Sequence, residues 1–281
     1  MRAERRFSWF SLPMLIVGVI AAAFALFPFY AIFLASLKPA ELVTKMGLSL
    51  KIDPGIMTFH NYVSLFTESA GRYFTWFRNS LLLTVMGTVI SLFFSALVGF
   101  GLAMYQFRLR NLIFTLVLLV MMVPMEIIML PLYKLTIGLK LINSYWGVVL
   151  PFAVAPLPVF FFRQYASGLP KDFADAARID GCTEYGMFFR VFVPLMTPAF
   201  GAMTILQALG NWNNFLWPLI VLRTDDKLTI PIGLSTLLTP YGNNYEMLLA
   251  GSVLAVLPIL ILFVFFQRYF ISGLTVGGVK G

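Results

Sequence analysis

Residues 169–198, with the sequence LPKDFADAARIDGCTEYGMFFRVFVPLMTP, form a charged segment in a chain whose residues are 60% hydrophobic. The charged side chains include Asp172, Asp175, Arg178, Asp180, Glu184 and Arg190. Each of these would cost about 2.5–3.5 kcal/mol at the centre of a lipid bilayer. We therefore expect the segment at a water-exposed surface.

The same segment carries the signals of a short helix. Pro170 suits the first turn of a helix, and Asp172 and Asp175 favour its positive N-terminal end. Gly181 is a typical terminator, because glycine adopts positive φ at little cost. Three small side chains lie close together in this helix, at Ala174, Ala176 and Ala177. Since small residues let another protein approach closely, we predict a docking helix; a plain surface loop is the alternative.

The rest of the 281-residue chain predicts an all-α integral membrane protein with a single transmembrane domain. Only 11% of the residues are charged and the mean hydropathy is +0.88, which excludes an ordinary soluble domain. A span needs about 20 mainly apolar residues. The expected spans are residues 12–36, 80–104, 112–132, 145–162, 199–222 and 246–266. The alternating pattern of a membrane β-barrel does not recur.

The distribution of basic residues predicts the topology. Arg2, Arg5 and Arg6 precede an apolar run that is too long for a signal peptide, so we expect a retained first helix with a cytoplasmic N-terminus. Six spans then make residues 169–198 a cytoplasmic loop, 223–245 an external loop and 267–281 a cytoplasmic tail. The net charge of +8 follows from this topology, and we expect no nucleic-acid partner.

The chain lacks the residues of an ATPase or a metal enzyme. Cys182 and His60 are each the only residue of their type, so we expect no metal site. The sequence contains no Gly-Lys dipeptide, which excludes a P-loop. We therefore expect no catalytic residue and no cofactor bound by this chain, and ATP-driven transport would need a separate ATPase.

Glu126 lies inside the third expected span, in the sequence VPME at 123–126. A carboxylate within a membrane is costly and suggests a functional role. It would lie on a translocation pathway or at the seam with a second subunit. The alternative is a place near the outer end of the span, with hydrogen bonds inside the bundle. Pro124 and Pro131 predict a bend.

The fifth expected span contains LGNWNNFLWP at 209–218, which concentrates amides and indoles in an apolar segment. These side chains are Asn211, Trp212, Asn213, Asn214 and Trp217. Aromatic faces stack on sugar rings and amides bond to sugar hydroxyls, so the segment predicts a carbohydrate pathway. The spacing places Asn211 with Asn214, and Asn213 with Trp217, on shared helix faces. Helix packing is the alternative.

Two further segments complete the candidate sites. The external loop contains RTDDK at 223–227 and TPYGNN at 239–244, which are rich in turn formers. Loops of this length usually carry function, although an inert connector is the alternative. The end of the chain, ISGLTVGGVKG at 271–281, is rich in glycine and is expected to need a partner surface for order.

Several of these motifs resemble those of a known family. Asp175-Ala176-Ala177, followed by Asp180-Gly181 and Pro194, resembles the EAA loop of binding-protein-dependent ABC importer permeases; Asp175 stands where Glu is usual. The sequences WNNFLWP at 212–218, PYGNN at 240–244 and GLTVGGVKG at 273–281 resemble the carbohydrate branch of that family. Together with MVPME at 122–126, FFRQY at 161–165 and DGCTE at 180–184, they resemble permeases for arabinose oligomers.

The resemblance implies a type I ABC importer (MetI-like) permease fold in a bacterial cell membrane. Its implied partners are a second, non-identical permease, two ATPase subunits that bind ATP and Mg, a solute-binding protein, membrane lipid and a carbohydrate. The implied ATPase contacts are Asp175, Ala176, Ala177, Arg178, Asp180, Gly181 and Lys280. The implied binding-protein contacts are Thr239, Pro240, Tyr241, Gly242, Asn243 and Asn244.

The substrate and the class of transporter have alternatives. Arabinose-containing oligosaccharides are the expected cargo, with another oligosaccharide or glycerol phosphate as the alternatives. An ion-coupled secondary carrier is the alternative from a different class. Such carriers usually place several ionisable groups at mid-membrane, whereas Glu126 is nearly alone there.

Overall fold

The computed structural model describes residues 11–39, 41–43, 47, 50–67, 71–239 and 242–275. These residues are almost entirely helical, as the sequence predicts. They divide into two compact units, one containing the residues up to 73 with 234–256 and the other containing 74–233 with the residues from 257 onward.

In chain order the helices are α1 (Ser11–Ser36), α2 (His60–Thr67), α3 (Arg72–Met104), α4 (Arg110–Met121), α5 (Met125–Gly138), α6 (Tyr145–Val149), α7 (Pro156–Ser167), α8 (Asp172–Ile179), α9 (Glu184–Met187), α10 (Val193–Leu195), α11 (Thr197–Trp212), α12 (Leu216–Val221), α13 (Ile230–Thr236) and α14 (Tyr245–Thr275). Short 3-10 turns lie at Leu150–Phe152 and Asp225–Lys227, and a π-helical turn lies at Phe188–Phe192. The strands β1 (Leu238–Thr239) and β2 (Gly242–Asn243) form an antiparallel hairpin.

Three described helices are individually long and apolar enough to cross a membrane: Leu12–Ser36, Arg72–Met104 and Tyr245–Tyr269. Three further candidates are bent pairs of helices. The angles are 107° between α4 and α5, 42° between Tyr145–Phe152 and α7, and 78° between Glu184–Leu195 and α11. The described residues therefore hold six candidate spans if each bent pair crosses once.

Two of the bent pairs lie at the expected spans 112–132 and 145–162. The bend expected at Pro124 is present, whereas Pro131 lies inside α5 without breaking it, and no break was expected within 145–162. Pro124 is the extended N-cap of α5, and Pro156 begins α7 after the extended Ala155. Proline lacks an N–H donor and disfavours helical geometry in the preceding residue, so each break lies where a proline follows. The third bent pair breaks at Met196, ahead of the expected span 199–222. That span is interrupted separately, because α11 ends at Trp212 and α12 begins at Leu216.

Two expected loops are also more ordered than predicted. Helix α14 continues to Thr275, so residues 267–275 are helical and the expected tail begins later. Residues 223–245 contain a 3-10 turn, α13 and the hairpin. The buried amide of Asn79 donates hydrogen bonds to the carbonyl oxygens of Asp226 and Leu228, both at 2.9 Å. These bonds fasten the start of that loop to α3.

The core of the larger unit joins α3, α7 and α8 to the segment from Met187 to Met203. Gly99 of α3 allows a close approach to α7, because an added Cβ would lie 2.7 Å from Phe162 Cβ and 2.9 Å from the Arg163 backbone nitrogen. Small residues at helix interfaces permit such packing in membrane proteins. The buried members of this core are Leu92, Ala96, Phe100, Ala103, Phe162, Ala166, Ala174, Ala177, Met187, Phe188, Phe192, Met196, Ala199 and Met203.

The smaller unit connects the end of α1 to α2 through a buried amide. Asn61 Nδ2 donates to the carbonyl oxygens of Ser36 at 2.8 Å and Lys38 at 2.9 Å. Within the same unit the Tyr73 hydroxyl donates to the carbonyl oxygen of Gly251 at 2.8 Å. The two Asn61 bonds satisfy carbonyl groups at and just after the C-terminal end of α1.

Candidate functional site

Most of the predicted pathway residues line one cavity of about 470 Å³ in the larger unit. This volume is within the usual range for small-molecule sites, about 300–1,000 Å³. The lining residues are Met125, Glu126, Met129, Phe152, Ala155, Gln207, Gly210, Asn211, Asn213, Asn214, Phe215, Leu216 and Trp217. The cavity thus combines amides, one carboxylate and aromatic rings.

The break between α11 and α12 creates the amide-rich wall. Asn213 is the C-cap of α11, is exposed, and donates from Nδ2 to the carbonyl oxygen of Leu209 at 3.0 Å. Asn213 and Trp217 do not share a helix face, because the helix ends between them. Asn214 also lies beyond the end of α11, so it does not share a helix face with Asn211. The shared faces predicted for both pairs are absent, although all four residues line the cavity.

Side-chain hydrogen bonds between α3 and α11 hold a second part of the wall. Asn211 Nδ2 donates to Thr88 Oγ1 at 3.1 Å, and Gln207 Nε2 donates to Ser91 Oγ at 2.8 Å. Gly87 permits this arrangement, since an added Cβ would lie 3.0 Å from Asn211 Nδ2. Gln207 is not among the predicted pathway residues, although its spacing of four residues from Asn211 places both on one face of α11.

The two tryptophans have different surroundings. Trp212 is only 4% exposed, packs edge-on against Phe77 at 5.7 Å, and does not line the 470 Å³ cavity. The packing interpretation therefore applies to Trp212. Trp217 is also buried, with only 1% of its surface exposed, so it borders the cavity as a packed ring; a hydrogen bond from Nε1 to the Gly147 carbonyl oxygen at 3.2 Å fixes it. Phe152 meets Trp217 edge-on at 6.1 Å.

Helix α8 ends where its sequence predicts, but it begins at Asp172 with Lys171 as its N-cap, so Pro170 precedes the helix rather than lying in its first turn. Gly181 has φ of +75° and lies just after the C-cap, Asp180. The N–H of Gly181 bonds to the Arg178 carbonyl oxygen at 3.1 Å, and that of Cys182 bonds to the Ala177 carbonyl oxygen at 2.9 Å. This pair of bonds is a Schellman motif, in which glycine is the favoured residue at positive φ.

One face of α8 is buried and the other is exposed. Ala174 and Ala177 are 4% and 5% exposed and belong to the core that contains Phe100 and Phe162. Other side chains of the helix face solvent, among them Phe173, Asp175, Ala176, Ile179 and Asp180. The exposed side combines apolar and acidic residues on a helix that is anchored to the core, which suits docking to another protein.

A chain of polar contacts ties α8 to the end of α3. Arg178 forms ion pairs with Asp175 at 3.3 Å and with Glu184 at 3.6 Å. The Tyr105 hydroxyl donates to the Glu184 carboxylate. Burial and this hydrogen bond raise the pKa of Tyr105 to about 12, so the phenol keeps its proton at neutral pH. Arg178 therefore has internal partners besides any external one.

The residues predicted to contact the binding protein lie in and next to the β1–β2 hairpin, and Lys280, predicted to contact the ATPase, is close to the end of the sequence. The Asn244 side chain caps α14 by accepting from the Met247 N–H at 3.0 Å, and Asn243 Nδ2 donates to the Tyr245 hydroxyl at 3.0 Å. The structure describes only the backbone of Thr239 and Gly242, which pair in the hairpin. Three predicted contact residues lie outside the described residues: Pro240, Tyr241 and Lys280.

Comparison with known proteins gives the family. Residues 92–276 match the family described as "Binding-protein-dependent transport system inner membrane component". The chain belongs to this family. Over all 281 residues it is 58% identical to the "Arabinooligosaccharides transport system permease protein AraQ" of Bacillus subtilis, with both chains fully covered.

Other relatives and a solved structure agree with this assignment. A protein of the same description from Halalkalibacterium halodurans is 58% identical over 269 residues, which covers 95% of this chain and 96% of the relative. The "Lactose transport system permease protein LacG" of Rhizobium radiobacter is 33% identical, with 93% of each chain covered. A chain of a bacterial ABC transporter for alginate import has the same fold, with a TM-score of 0.79, 22% identity, and coverage of 96% of this chain and 99% of its own.

Proposed function

We propose that this permease subunit carries sugars, specifically arabinose-containing oligosaccharides, in an ATP-driven importer. The observation that carries the proposal is the cavity that gathers Glu126 with Asn213, Asn214 and aromatic rings. Amides and carboxylates bond to sugar hydroxyls, and aromatic surfaces pack on sugar rings. Two relatives at 58% identity are described as arabinooligosaccharide permeases, which supports this cargo over other sugars.

Glycerol phosphate fits the cavity poorly. Binding a phosphate favours Arg or Lys, and no basic residue lines the cavity within the described part of the chain. Glu126 would also repel the phosphate charge. A neutral oligosaccharide needs no basic residue for binding, and Glu126 does not repel it.

The proposed assembly contains a second, non-identical permease, two ATPase subunits and a solute-binding protein, in a bacterial cell membrane with both termini cytoplasmic. ATP and Mg bind to the ATPase subunits, and the exposed side of α8 docks there together with the tail that contains Lys280. Residues 239–244 contact the solute-binding protein. Asn243 and Asn244 support that contact indirectly, because they order the hairpin and the start of α14.

Transport follows from two conformations that the ATPases and the binding protein favour differently. When the ATPases close, they carry α8 with them. Because Ala174 and Ala177 are buried in one core with Phe100 and Phe162, movement of α8 is transmitted to α3 and α7. Packed cores move as rigid bodies, so the spans rock from an inward-facing to an outward-facing arrangement. The binding protein then releases sugar into the cavity.

Uptake by the reconstituted complex tests this function. Proteoliposomes containing both permeases and the ATPases, with the binding protein outside and ATP inside, should accumulate arabinotriose. A non-hydrolysable ATP analogue should stop uptake, and proton or sodium ionophores should leave it unchanged. Uptake driven by an ion gradient without ATP would instead establish a secondary carrier.

Asn213→Ala should lower the maximal rate of arabinotriose uptake by about fivefold, because one neutral hydrogen bond to sugar contributes about 1 kcal/mol. The exposed Asn213 side chain bonds only to Leu209 within the described residues, so assembly should stay normal. Trp212→Ala is the contrasting variant. It empties a buried site and should cost about 3–5 kcal/mol of stability, so it should reduce the amount of complex. Wild-type uptake by Asn213→Ala would remove this residue from the pathway.

A further inference from the structure

Glu126 lies on the cavity wall with its carboxylate free of internal partners. It is in the first turn of α5, just after the break with α4, and its side chain is exposed. No residue that the structure describes donates a hydrogen bond to this carboxylate or pairs with it. The alternative of a carboxylate held by hydrogen bonds inside the bundle therefore does not apply within the described chain. An acid placed in this way can interact with whatever enters the cavity.

The other polar groups of the wall add acceptors rather than positive charge. Gln207, Asn211 and Asn213 each donate one of their two amide N–H groups to an internal hydrogen bond. Their carbonyl oxygens form no hydrogen bond with the described residues. No Lys or Arg among those residues lines the cavity, and its other walls are mainly apolar, including Met125, Met129, Phe152 and Trp217.

A cavity lined by one carboxylate, neutral amides and no described Lys or Arg distinguishes ligands by charge. Sugar hydroxyls can donate to the carboxylate and to the amide oxygens. An anionic group finds no cation among the described lining residues, and Glu126 repels it. We infer that Glu126 is a specificity-determining residue, which admits neutral sugars to the cavity and rejects acidic ones. The inference rests on the proposed function and names the charge class that the site accepts.

The test compares matched sugars that differ by one carboxylate, namely arabinotriose with its aldonic acid and lactose with lactobionic acid. Binding is measured by NMR titration on the complex of both permeases and the ATPases in nanodiscs, without the binding protein, so that the binding protein's own selectivity does not contribute. The quantity of interest is the ratio of the acid's dissociation constant to that of the neutral sugar. A neutral sugar that binds establishes the sugar site, and the ratio for its pair then tests Glu126.

Glu126→Gln should lower the ratio by about tenfold, because it removes the charge and keeps the shape. Glu126→Asp should retain a high ratio, which a merely structural role would not predict. Asp225→Asn is the matched control, since it removes one exposed negative charge away from the cavity. In the wild type the ratio should also fall between 0.1 M and 1 M salt, where the Debye length shortens from about 10 Å to about 3 Å.

The ratio of dissociation constants and the binding of neutral sugar together show whether the charge selection or the sugar site itself has failed. An unchanged ratio in Glu126→Gln, with neutral sugar still bound, overturns the charge selection and leaves the proposed function in place. Failure of the wild type to bind either neutral sugar contradicts the sugar site itself, and with it this inference. A lower ratio in Glu126→Gln but not in Glu126→Asp or Asp225→Asn supports it.

Discussion

Gly181→Trp should abolish ATP-driven uptake while the protein still folds and inserts in the membrane. Gly181 has φ of +75°, and an added Cβ would meet no atom within 4 Å. A large side chain at this position therefore extends into solvent beside the exposed surface of α8. It would obstruct the ATPase subunit that we propose to dock there. A residue in the left-handed region also costs about 1–2 kcal/mol, which weakens the end of the helix.

Gly181→Asn separates the two effects. Asparagine tolerates the left-handed region better than most residues and adds little bulk. It should keep most of the uptake, whereas Gly181→Trp should lose at least about tenfold in both uptake and ATPase binding, equivalent to about 1.4 kcal/mol of docking free energy. The measurements are uptake in proteoliposomes and copurification of the ATPase. Full uptake with Gly181→Trp would contradict the docking role of α8.

Helix α8 was predictable because its signals are local. Asp172 near its start, the alanines along it and Gly181 after its end each act within one or two turns of the helix. The structure adds the direction of each side chain, which composition alone does not provide. Ala174 and Ala177 are buried in the core, whereas Ala176 is exposed. The three alanines therefore do not form one docking surface.

The cavity was predictable in its residue types but not in its geometry. Amides and indoles at 211–217 indicate a polar site in an apolar segment, and most of them do line the cavity. Their directions were inferred for a continuous helix, and the chain breaks between Trp212 and Leu216. Trp212, the last residue of α11, packs against Phe77 of α3 instead. The contribution of Gln207 depends on Ser91, far away in sequence, so pairing across helices was not visible from either segment alone.

For the bent spans, too, the sequence indicates one feature, the position of a break, and does not indicate another, the angle of the bend. Prolines at 124 and 156 are visible in the sequence and account for the positions of two breaks, while the angles of 107° and 42° depend on what each half packs against. The sequence says even less about which glycines lie at a helix interface. Gly99 and Gly101 are two residues apart on α3, yet only Gly99 lies against another helix. A sequence of small residues does not say which of them is at the interface.

Gly99→Leu should destabilise the larger unit by about 3 kcal/mol or more and sharply reduce the amount of assembled complex. Even the first added carbon would lie 2.7 Å from Phe162 Cβ, 2.9 Å from the Arg163 nitrogen and 3.1 Å from the Val159 carbonyl oxygen. Two of these atoms belong to the backbone of α7, so the helices themselves must separate. Overpacking of a dense core typically costs about 1–3 kcal/mol, and a backbone clash is at the upper end of that range.

Gly101→Leu is the matched control, because it makes the same substitution on the same helix where an added Cβ meets no atom within 4 Å. Both variants replace a glycine by a better helix former, so helix propensity favours both equally. The thermal unfolding midpoint in detergent and the yield of complex should fall for Gly99→Leu and stay near wild type for Gly101→Leu. Phe162 also belongs to the core that contains Ala174 and Ala177, so any Gly99→Leu complex that does assemble should show poor coupling between ATP hydrolysis and uptake. Equal midpoints and yields for the two variants would mean that α3 and α7 do not pack as closely as the structure has them.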